Sequence, residues 1–309
     1  MSGNLNTTIN GSQPSSCYKP TAEKVGKTFA FCLIFLVSLA GNTVIGIIVY
    51  KAKAMRKPTN FLIVNMAMSD LLYAIFVIPR EIPMLYIDSW LIGGRLGQAL
   101  CRLAIFLTDF SGFVSIQSLV LIAVDRFGAV VFPLRSPLIS SKLCPVFILS
   151  AWVVAMVVSS PYIFAIKLLE YAAGLECRMH WNEVFREALS FENYFVSLSV
   201  VFIFIPLVLI AILYIIIFLK LKSQKIPGEQ SADTEVEQRR QRERKVLKMS
   251  IAIVLGFAIC WLPLIITHLL LFFASNIVMS CNFQYVFFSC FFNGLLKLCD
   301  KSLYLFYFQ

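Results

Sequence analysis

Seven long apolar runs limit what this chain can fold into. A helix that crosses the hydrocarbon core of a bilayer needs about 20 consecutive, mostly apolar residues. Runs of that kind lie at about 28–50, 60–86, 98–124, 143–166, 193–219, 247–274 and 283–308. Charged residues make up 14% of the chain, whereas a soluble domain carries about 25%. The sequence therefore predicts an all-α membrane protein, a seven-transmembrane helix bundle.

Polar segments divide the chain further. Residues 1–27 are predicted to form a polar N-terminal tail, and residues 28–308 the membrane domain. The loop at 220–246 is rich in Gln, Glu and Arg, so we expect its first part to be disordered and its second part to extend span six. No signal peptide precedes the first apolar run, so span one is expected to serve as the insertion signal.

Lysine and arginine concentrate in the loops after spans one, three and five. Examples are Lys51 after span one, Lys142 after span three, and the very basic segment 220–248 after span five. Because cytoplasmic loops are enriched in these residues, we expect these three loops in the cytoplasm and the N-terminal tail outside the cell. Glycosylation sequons at Asn6 and Asn10 agree with that outer position.

The nine cysteines divide by compartment. Cys101 begins span three on the outer side, and Cys177 lies in the outer loop after span four. The oxidising exterior favours a disulfide between them. Cys17 and Cys281 are also on the outer side, and a second bridge between them is left open. The other cysteines lie within or beside the spans, where we interpret them as small apolar residues.

Polar residues at the two ends of spans three and six lie on one face of each span. Positions three and four apart share a helix face, so one stripe runs along span three from Thr108 to Arg126 near its inner end. The two ends are about 27 Å apart, at ~1.5 Å per residue. A matching stripe in span six runs from Glu243 to Trp261, and Pro263 beyond it bends the helix. One rigid helix can therefore connect an outer pocket to the cytoplasm, beside a bent helix that can swing.

Short motifs occur one per span and in chain order. They are Gly41-Asn42 in span one, Asp70 in span two, Asp125-Arg126-Phe127 in span three, Trp152 in span four, Pro206 and Tyr214 in span five, and Phe257–Pro263 in span six. In these motifs the chain resembles the rhodopsin-like, class A G-protein-coupled receptors over nearly its whole length, and is most similar to neuropeptide receptors. The resemblance implies a multi-pass protein of the plasma membrane that signals and has no nucleic-acid partner.

The resemblance also implies an activation switch at the inner end of the bundle. Arg126 would contact a heterotrimeric G protein in the active state, with Asp125 and Glu243 restraining it at rest. Leu134 would insert into the G-protein surface. The resemblance assigns further positions to the switch: Ile116, Pro206, Tyr214, Phe257, Trp261, Pro263 and Tyr304. For the apolar members of that set, plain core packing is the alternative interpretation.

A sodium pocket is implied in the middle of the bundle. Asp70 and Ser115, with Asn42 beside them, match the family's pocket, and Asp70 would be the metal ligand. Asp300 would add a second acid. The implied ion is allosteric, and no other cofactor is expected.

The seventh span departs from the family's pattern. The family's Asn-Pro-x-x-Tyr falls on DKSLY, from Asp300 to Tyr304, where Lys301 replaces the proline. This change leaves open a seven-helix membrane protein that does not signal. Phe127 in place of the usual tyrosine in span three is a milder change.

Positions near the outer end bear on the ligand. Thr108 stands where amine receptors have an aspartate, and Gly294 stands where opsins have their retinal-binding lysine, so both ligand classes are disfavoured. Acidic residues of the loop at 167–192, together with Glu81 and Asp109, would attract a cationic peptide. An ordinary solvated loop is the alternative interpretation of these acids. The candidate ligand-binding residues are Arg80, Glu81, Thr108, Asp109, Trp261 and His268.

We therefore expect a receptor that binds an extracellular ligand, a neuropeptide, and activates a heterotrimeric G protein through movement of span six. A receptor for a non-peptide small molecule and a non-signalling seven-helix protein are the alternatives. A channel or transporter would need polar lining on several spans. An enzyme would need clustered nucleophile, base or metal ligands, and the two histidines, His180 and His268, both lie on the outer side. We therefore expect no enzymatic activity.

Overall fold

The computed structural model describes residues 21–87, 89–133, 137–172, 174–185 and 190–223, together with short pieces between 241 and 266. Within these residues, five helical segments are long and apolar enough to cross a membrane. They are Lys24–Lys51, Pro58–Leu85, Gly94–Val131, Cys144–Ala165 and Phe191–Leu221. The five segments coincide with the first five predicted spans. Span seven and much of span six lie outside the described residues.

The first four spans are built from five helices. In chain order these are α1 (Thr21–Lys51), α2 (Pro58–Phe76), α3 (Ile78–Glu81), α4 (Gly94–Val131) and α5 (Cys144–Ala165). α2 and α5 have a proline in the first turn, where its fixed φ suits the helix and its missing N–H costs nothing. The 3-10 turns Lys53–Met55 and Pro83–Leu85 follow α1 and α3.

α4 extends beyond the apolar run that predicted it. The run ends near residue 124, whereas the helix continues to Val131. The charges of Asp125 and Arg126 do not interrupt helical backbone bonding, and Pro133 is the first residue that does. The acid–base pair therefore lies within a helix, and Asp125 is 7% exposed.

α4 is the central helix of the described bundle and packs against α2, α5 and α8 (Ile205–Ser223). Its core-facing side chains are at most 3% exposed: Phe110, Val114, Ile116, Leu119 and Ile122. On α5, by contrast, Leu149 and Val157 are 64% and 65% exposed. In a membrane such apolar side chains face lipid tails, which are as apolar as leucine.

The outer loop after α5 forms a β-hairpin that the all-α prediction did not include. β1 (Ile166–Tyr171) pairs with the antiparallel β2 (Gly174–Met179), in a register that joins Leu168 to Cys177. Gly174 has a φ of 128° at the turn, a conformation that glycine adopts without steric cost. We call residues 166–179 the outer hairpin.

Span five contains a break in its helical geometry. After the short helix α6 (Trp181–Phe185), α7 (Phe191–Ser199) passes through a π-helical turn, Val200–Phe204, into α8. Pro206 lies just beyond the π turn and removes one backbone hydrogen bond from that stretch. The break therefore lies beside a residue that the family motifs assign to the switch.

Candidate functional site

A disulfide attaches the outer hairpin to the outer end of α4. It joins Cys101 and Cys177, whose Cα atoms are 5.9 Å apart. The pairing predicted from the outer compartment is confirmed. Cys17 and Cys281, the second pair considered, lie outside the described residues, as do both glycosylation sequons.

Candidate ligand-binding residues lie at the outer ends of spans two and three. The Arg80 Nη1 atom lies 3.9 Å from Glu81 Oε1, with the two side chains 19% and 28% exposed. The half-buried Thr108 donates its hydroxyl to a carbonyl of its own helix at 3.0 Å, so the hydroxyl has a partner already. Trp261 and His268 lie outside the described residues.

Asp109 joins a cluster of aromatic side chains between spans three, four and five. The Tyr162 hydroxyl donates a hydrogen bond to the Asp109 carboxylate. The charge of Asp109 also acts on the Tyr194 hydroxyl. The Trp181 ring centroid lies 6.2 Å from that of Tyr162 and 4.9 Å from that of Tyr194. Both tyrosines were missed at the level of the sequence, although a tyrosine in an apolar run usually has a partner for its hydroxyl.

Three predicted sodium-pocket residues are buried on helices that pack together. Asp70 on α2 and Ser115 on α4 are each 1% exposed, and Asn42 on α1 is 2% exposed. We call these three residues the ion pocket. Ser115 Oγ donates to Asp70 Oδ1 at 3.5 Å, and the hydroxyls of Ser69 and Ser115 are 3.2 Å apart. Asn42 Nδ2 donates to the Ser38 carbonyl at 3.0 Å.

The atoms of the ion pocket suit a hard cation, which prefers oxygen ligands. They are a carboxylate, a hydroxyl and an amide oxygen. The amide oxygen of Asn42 is buried and has no hydrogen-bond partner among the described residues, and burying such an atom without a partner is costly. The residues present therefore fit a sodium ion. Asp300, the second predicted acid, lies outside the described residues.

A hydrogen-bonded chain connects spans two, three and four below the ion pocket. Trp152 Nε1 donates to Asn65 Oδ1 at 2.6 Å, and Asn65 Nδ2 donates to Ser118 Oγ at 2.9 Å. Ser118 in turn donates to the Val114 carbonyl at 2.8 Å. The sequence motifs singled out Trp152 but not its two partners. A polar residue inside an apolar run is the signal that could have found them.

The inner switch contains a residue from span two. Asp125 Oδ2 accepts hydrogen bonds from Thr59 Oγ1 at 2.6 Å and from Arg126 Nη2 at 2.5 Å. Arg126 Nη2 also donates to Thr59 Oγ1 at 2.8 Å. Thr59 is 4% exposed, and the side chains of Asp125 and Arg126 are 8% and 22% exposed. The sequence motif pairs the two charges but does not indicate Thr59. We call Thr59, Asp125 and Arg126 the inner switch.

Other predicted switch residues lie in the described parts of spans three, five and six. Ile116 and Phe257, 0% and 5% exposed, belong to one hydrophobic core. The buried Tyr214 hydroxyl lies near Ser250 and within electrostatic range of Arg126. The remaining predicted members lie outside the described residues: Leu134, Glu243, Trp261, Pro263 and Tyr304.

Comparison with known proteins bears on the whole chain. The sequence profile described as "7 transmembrane receptor (rhodopsin family)" matches residues 41–299. Neuropeptide Y receptor type 6 of Oryctolagus cuniculus is 28% identical over 94% of this chain and 78% of its own length. The QRFP-like peptide receptor of Branchiostoma floridae is 32% identical over 81% of this chain and 66% of its own length. The Substance-P receptor of Mus musculus is 28% identical over 86% of this chain and 63% of its own length.

The family match covers most of the chain and includes the spans that the structure does not describe. Proteins of this family are signalling receptors that cross the plasma membrane several times, and they are not enzymes. The predictions of a seven-helix bundle, of a multi-pass plasma-membrane protein and of no enzymatic activity are thereby confirmed. The chain belongs to the rhodopsin family of seven-transmembrane receptors.

Proposed function

We propose that this protein is a neuropeptide receptor that activates a heterotrimeric G protein. The observation that carries the proposal is that three relatives, similar over 81–94% of this chain, are all named as receptors for peptides. Because the chain spans 63–78% of the lengths of these relatives, their ligands support a ligand class here and not a particular peptide. The N-terminal tail lies outside the cell in this proposal, as the basic loops predict.

The ligand's charge follows from the outer residues. Glu81 and Asp109 lie at the outer ends of spans two and three. Carboxylates attract a guanidinium or ammonium group by charge. We therefore expect the peptide to present a cationic group at this end. Arg80, Thr108, Trp261 and His268 complete the proposed set of ligand contacts.

Transmission to the cytoplasm would use α4 and the inner switch. At rest, Asp125 and Thr59 hold the Arg126 guanidinium. A single hydrogen bond contributes about 0.5–1.5 kcal/mol net, so we expect each of these bonds to bias the equilibrium between the resting and active states without locking it. Ligand binding near Trp261 would swing span six about Pro263, release Glu243 and free Arg126 for the G protein, with Leu134 as a further contact.

The ion pocket would oppose this movement. A cation bound by Asp70, Ser115 and Asn42 would join spans one, two and three in the resting arrangement, with Asp300 as a further ligand from span seven. When bound, the ion supplies positive charge to a buried carboxylate. The chain's own part is to hold Asp70 beside the Ser115 hydroxyl and away from water.

The proposal is tested by exposing cells that express the protein to a panel of amidated peptides. The panel includes cationic members and matched neutral ones, and non-peptide small molecules are tested beside it. A promiscuous G-protein reporter detects coupling. A response to cationic members alone supports the proposed ligand. A response to a non-peptide small molecule, or to no compound at normal surface expression, would favour one of the two alternative functions. Lys301 leaves open the second alternative, a seven-helix protein that does not signal.

A further inference from the structure

Three residues on one face of α4 contact the outer hairpin. Gln98, Cys101 and Arg102 are spaced by three and four positions, so they share that face. Cys101 carries the disulfide to Cys177 on β2. Gln98 and Arg102 instead contact β1, the other strand.

Gln98 pairs with β1 as a neighbouring strand would. Its Nε2 donates to the Ile166 carbonyl at 3.2 Å, and its Oε1 accepts from the Leu168 N–H at 2.8 Å. A side-chain amide has the same donor and acceptor groups as a peptide unit, so it can take both bonds at a strand edge. Arg102 Nε donates to the same Ile166 carbonyl at 3.1 Å.

The disulfide and the Gln98 amide hold the same rung of the hairpin. Leu168 and Cys177 are directly opposite each other in the strand register. The backbone of Leu168 is joined to α4 through Gln98, and the side chain of Cys177 is joined to it through Cys101. One rung is therefore attached to one helix from both strands.

The surrounding backbone is packed closely enough to support this attachment. A Cβ atom at Gly97 would lie 1.8 Å from the Ile92 carbonyl oxygen and 3.1 Å from Leu168 Cδ2. On the opposite edge of the hairpin, the Trp90 N–H donates to the Leu175 carbonyl at 2.7 Å. A backbone hydrogen bond therefore holds the β2 edge of the hairpin, and the Gln98 and Arg102 side chains hold the β1 edge.

We propose that Gln98 is a positioning residue that keeps the outer hairpin on α4 even without the disulfide. The disulfide joins β2 to α4 at one point, whereas the two Gln98 bonds, with the Arg102 bond to Ile166, join the backbone of β1 to the same helix. That this hairpin borders the ligand entrance rests on the proposed peptide-receptor function. A peptide that passes the hairpin would meet a β1 edge whose hydrogen-bonding groups are already bonded to Gln98. The hairpin would therefore recognise the peptide through side chains and not by strand addition.

Hydrogen exchange of the purified protein in lipid nanodiscs tests the proposal without any ligand. The segment that contains the Leu168 N–H is followed in the protein as it is, in Cys101→Ala/Cys177→Ala, and in that double variant with Gln98→Met added. Gln98→Met keeps the length of the side chain and removes both bonds. We expect the double variant to stay protected and the triple variant to exchange about tenfold faster, as the loss of two hydrogen bonds implies.

Gln98→Glu in the same Cys101→Ala/Cys177→Ala background is the matched control. Its carboxylate can still accept from the Leu168 N–H but cannot donate to the Ile166 carbonyl, so Leu168 should keep more protection than with Gln98→Met. If the Cys101→Ala/Cys177→Ala variant does not fold, the folded unmodified protein is reduced with a phosphine and compared with Gln98→Met treated in the same way. The proposal would be overturned if removing the disulfide alone abolished the protection of the Leu168 N–H. It would also be overturned if this N–H exchanged equally fast with glutamine and with methionine at position 98. These exchange rates are measured in the same way whether or not any peptide activates the protein.

Discussion

At the scale of single residues, Thr59 has an unusual position in the inner switch. Its hydroxyl donates to Asp125 and accepts from Arg126, so one side chain of span two contacts both charges of span three. A buried hydroxyl of this kind stabilises whichever arrangement keeps its two partners together. We infer that this arrangement is the resting state.

Replacing Thr59 by valine keeps the shape of the side chain and removes the hydroxyl. The loss of about 0.5–1.5 kcal/mol of restraint should raise ligand-independent signalling roughly two- to tenfold per surface receptor. Thr59→Ser keeps a hydroxyl and should stay near the unmodified protein. Basal reporter activity normalised to surface expression measures both, and equal basal activity in Thr59→Val and the unmodified protein would remove Thr59 from the switch.

The buried carboxylate of Asp70 makes the ion pocket testable without a ligand. Sodium that binds only the folded protein stabilises it by mass action, so the melting temperature should rise when sodium replaces choline at constant ionic strength. Asp70→Asn removes the charge and should abolish that rise. Ser115→Ala removes one neutral oxygen and should reduce it. A sodium response that survives Asp70→Asn would place the ion elsewhere.

Glu183 gives the outer face a pH dependence. Hydrogen bonds from Lys167 and then His180 hold the pKa of the Glu183 carboxyl below its usual value. Because the pKa of Glu183 is lower in the folded protein than in the unfolded chain, the contact stabilises the folded protein fully at pH values above the unfolded pKa of about 4.3. This stabilisation is lost as the pH falls through the pKa of the folded protein. The difference in melting temperature between the unmodified protein and Glu183→Gln should therefore shrink toward zero in acid. Because Glu183 is exposed, the difference should be small, and one that grows in acid would contradict the assignment.

At the scale of helices and strands, the sequence predicts those features, such as the positions of the spans, that depend on the local composition of the chain. The apolar runs located five described spans, because a bilayer requires long apolar helices. The inner end of α4 was predicted too early, because the charges of Asp125 and Arg126 end an apolar run without ending a helix. Pro133 was the better indicator of that end.

The outer hairpin could not be predicted, because its two strands, which pair with each other, are also held at their outer edges by residues on other elements. Leu168 bonds to Gln98 on α4, and Leu175 bonds to Trp90 in the preceding loop. The same reason applies to Thr59, whose partners lie on α4. Residues that the family motifs mark could be assigned from the sequence, whereas contacts across helices needed the structure.

Close packing at Gly97 provides a test at this scale. A methyl group there would overlap the Ile92 carbonyl, so Gly97→Ala should force a backbone shift that costs about 1–3 kcal/mol. Gly46 in α1 is the matched control, because a Cβ there meets nothing within 4 Å. Gly46→Ala should be neutral, or stabilising by up to about 1 kcal/mol through helix propensity. Melting temperatures of the two variants measure the contrast, and equal values would contradict the packing described for the outer end of α4.

At the scale of the whole molecule, α4 connects the two ends that function requires. It carries the disulfide and Asp109 near its outer end, Ser115 of the ion pocket in its middle, and Asp125 and Arg126 near its inner end. The sequence alone gives the order of these residues along α4, because they all lie on one span. Which side chains meet around α4 was not, since that depends on how the other spans pack against it.

The central claim is that Arg126 transmits ligand binding to the G protein. Arg126→Ala removes the guanidinium at the inner end of α4 and leaves the outer residues unchanged. With a peptide that activates the unmodified protein, and at matched surface expression, Arg126→Ala should bind that peptide with nearly unchanged affinity and lose G-protein activation. Undiminished activation by Arg126→Ala would contradict the role assigned to this residue.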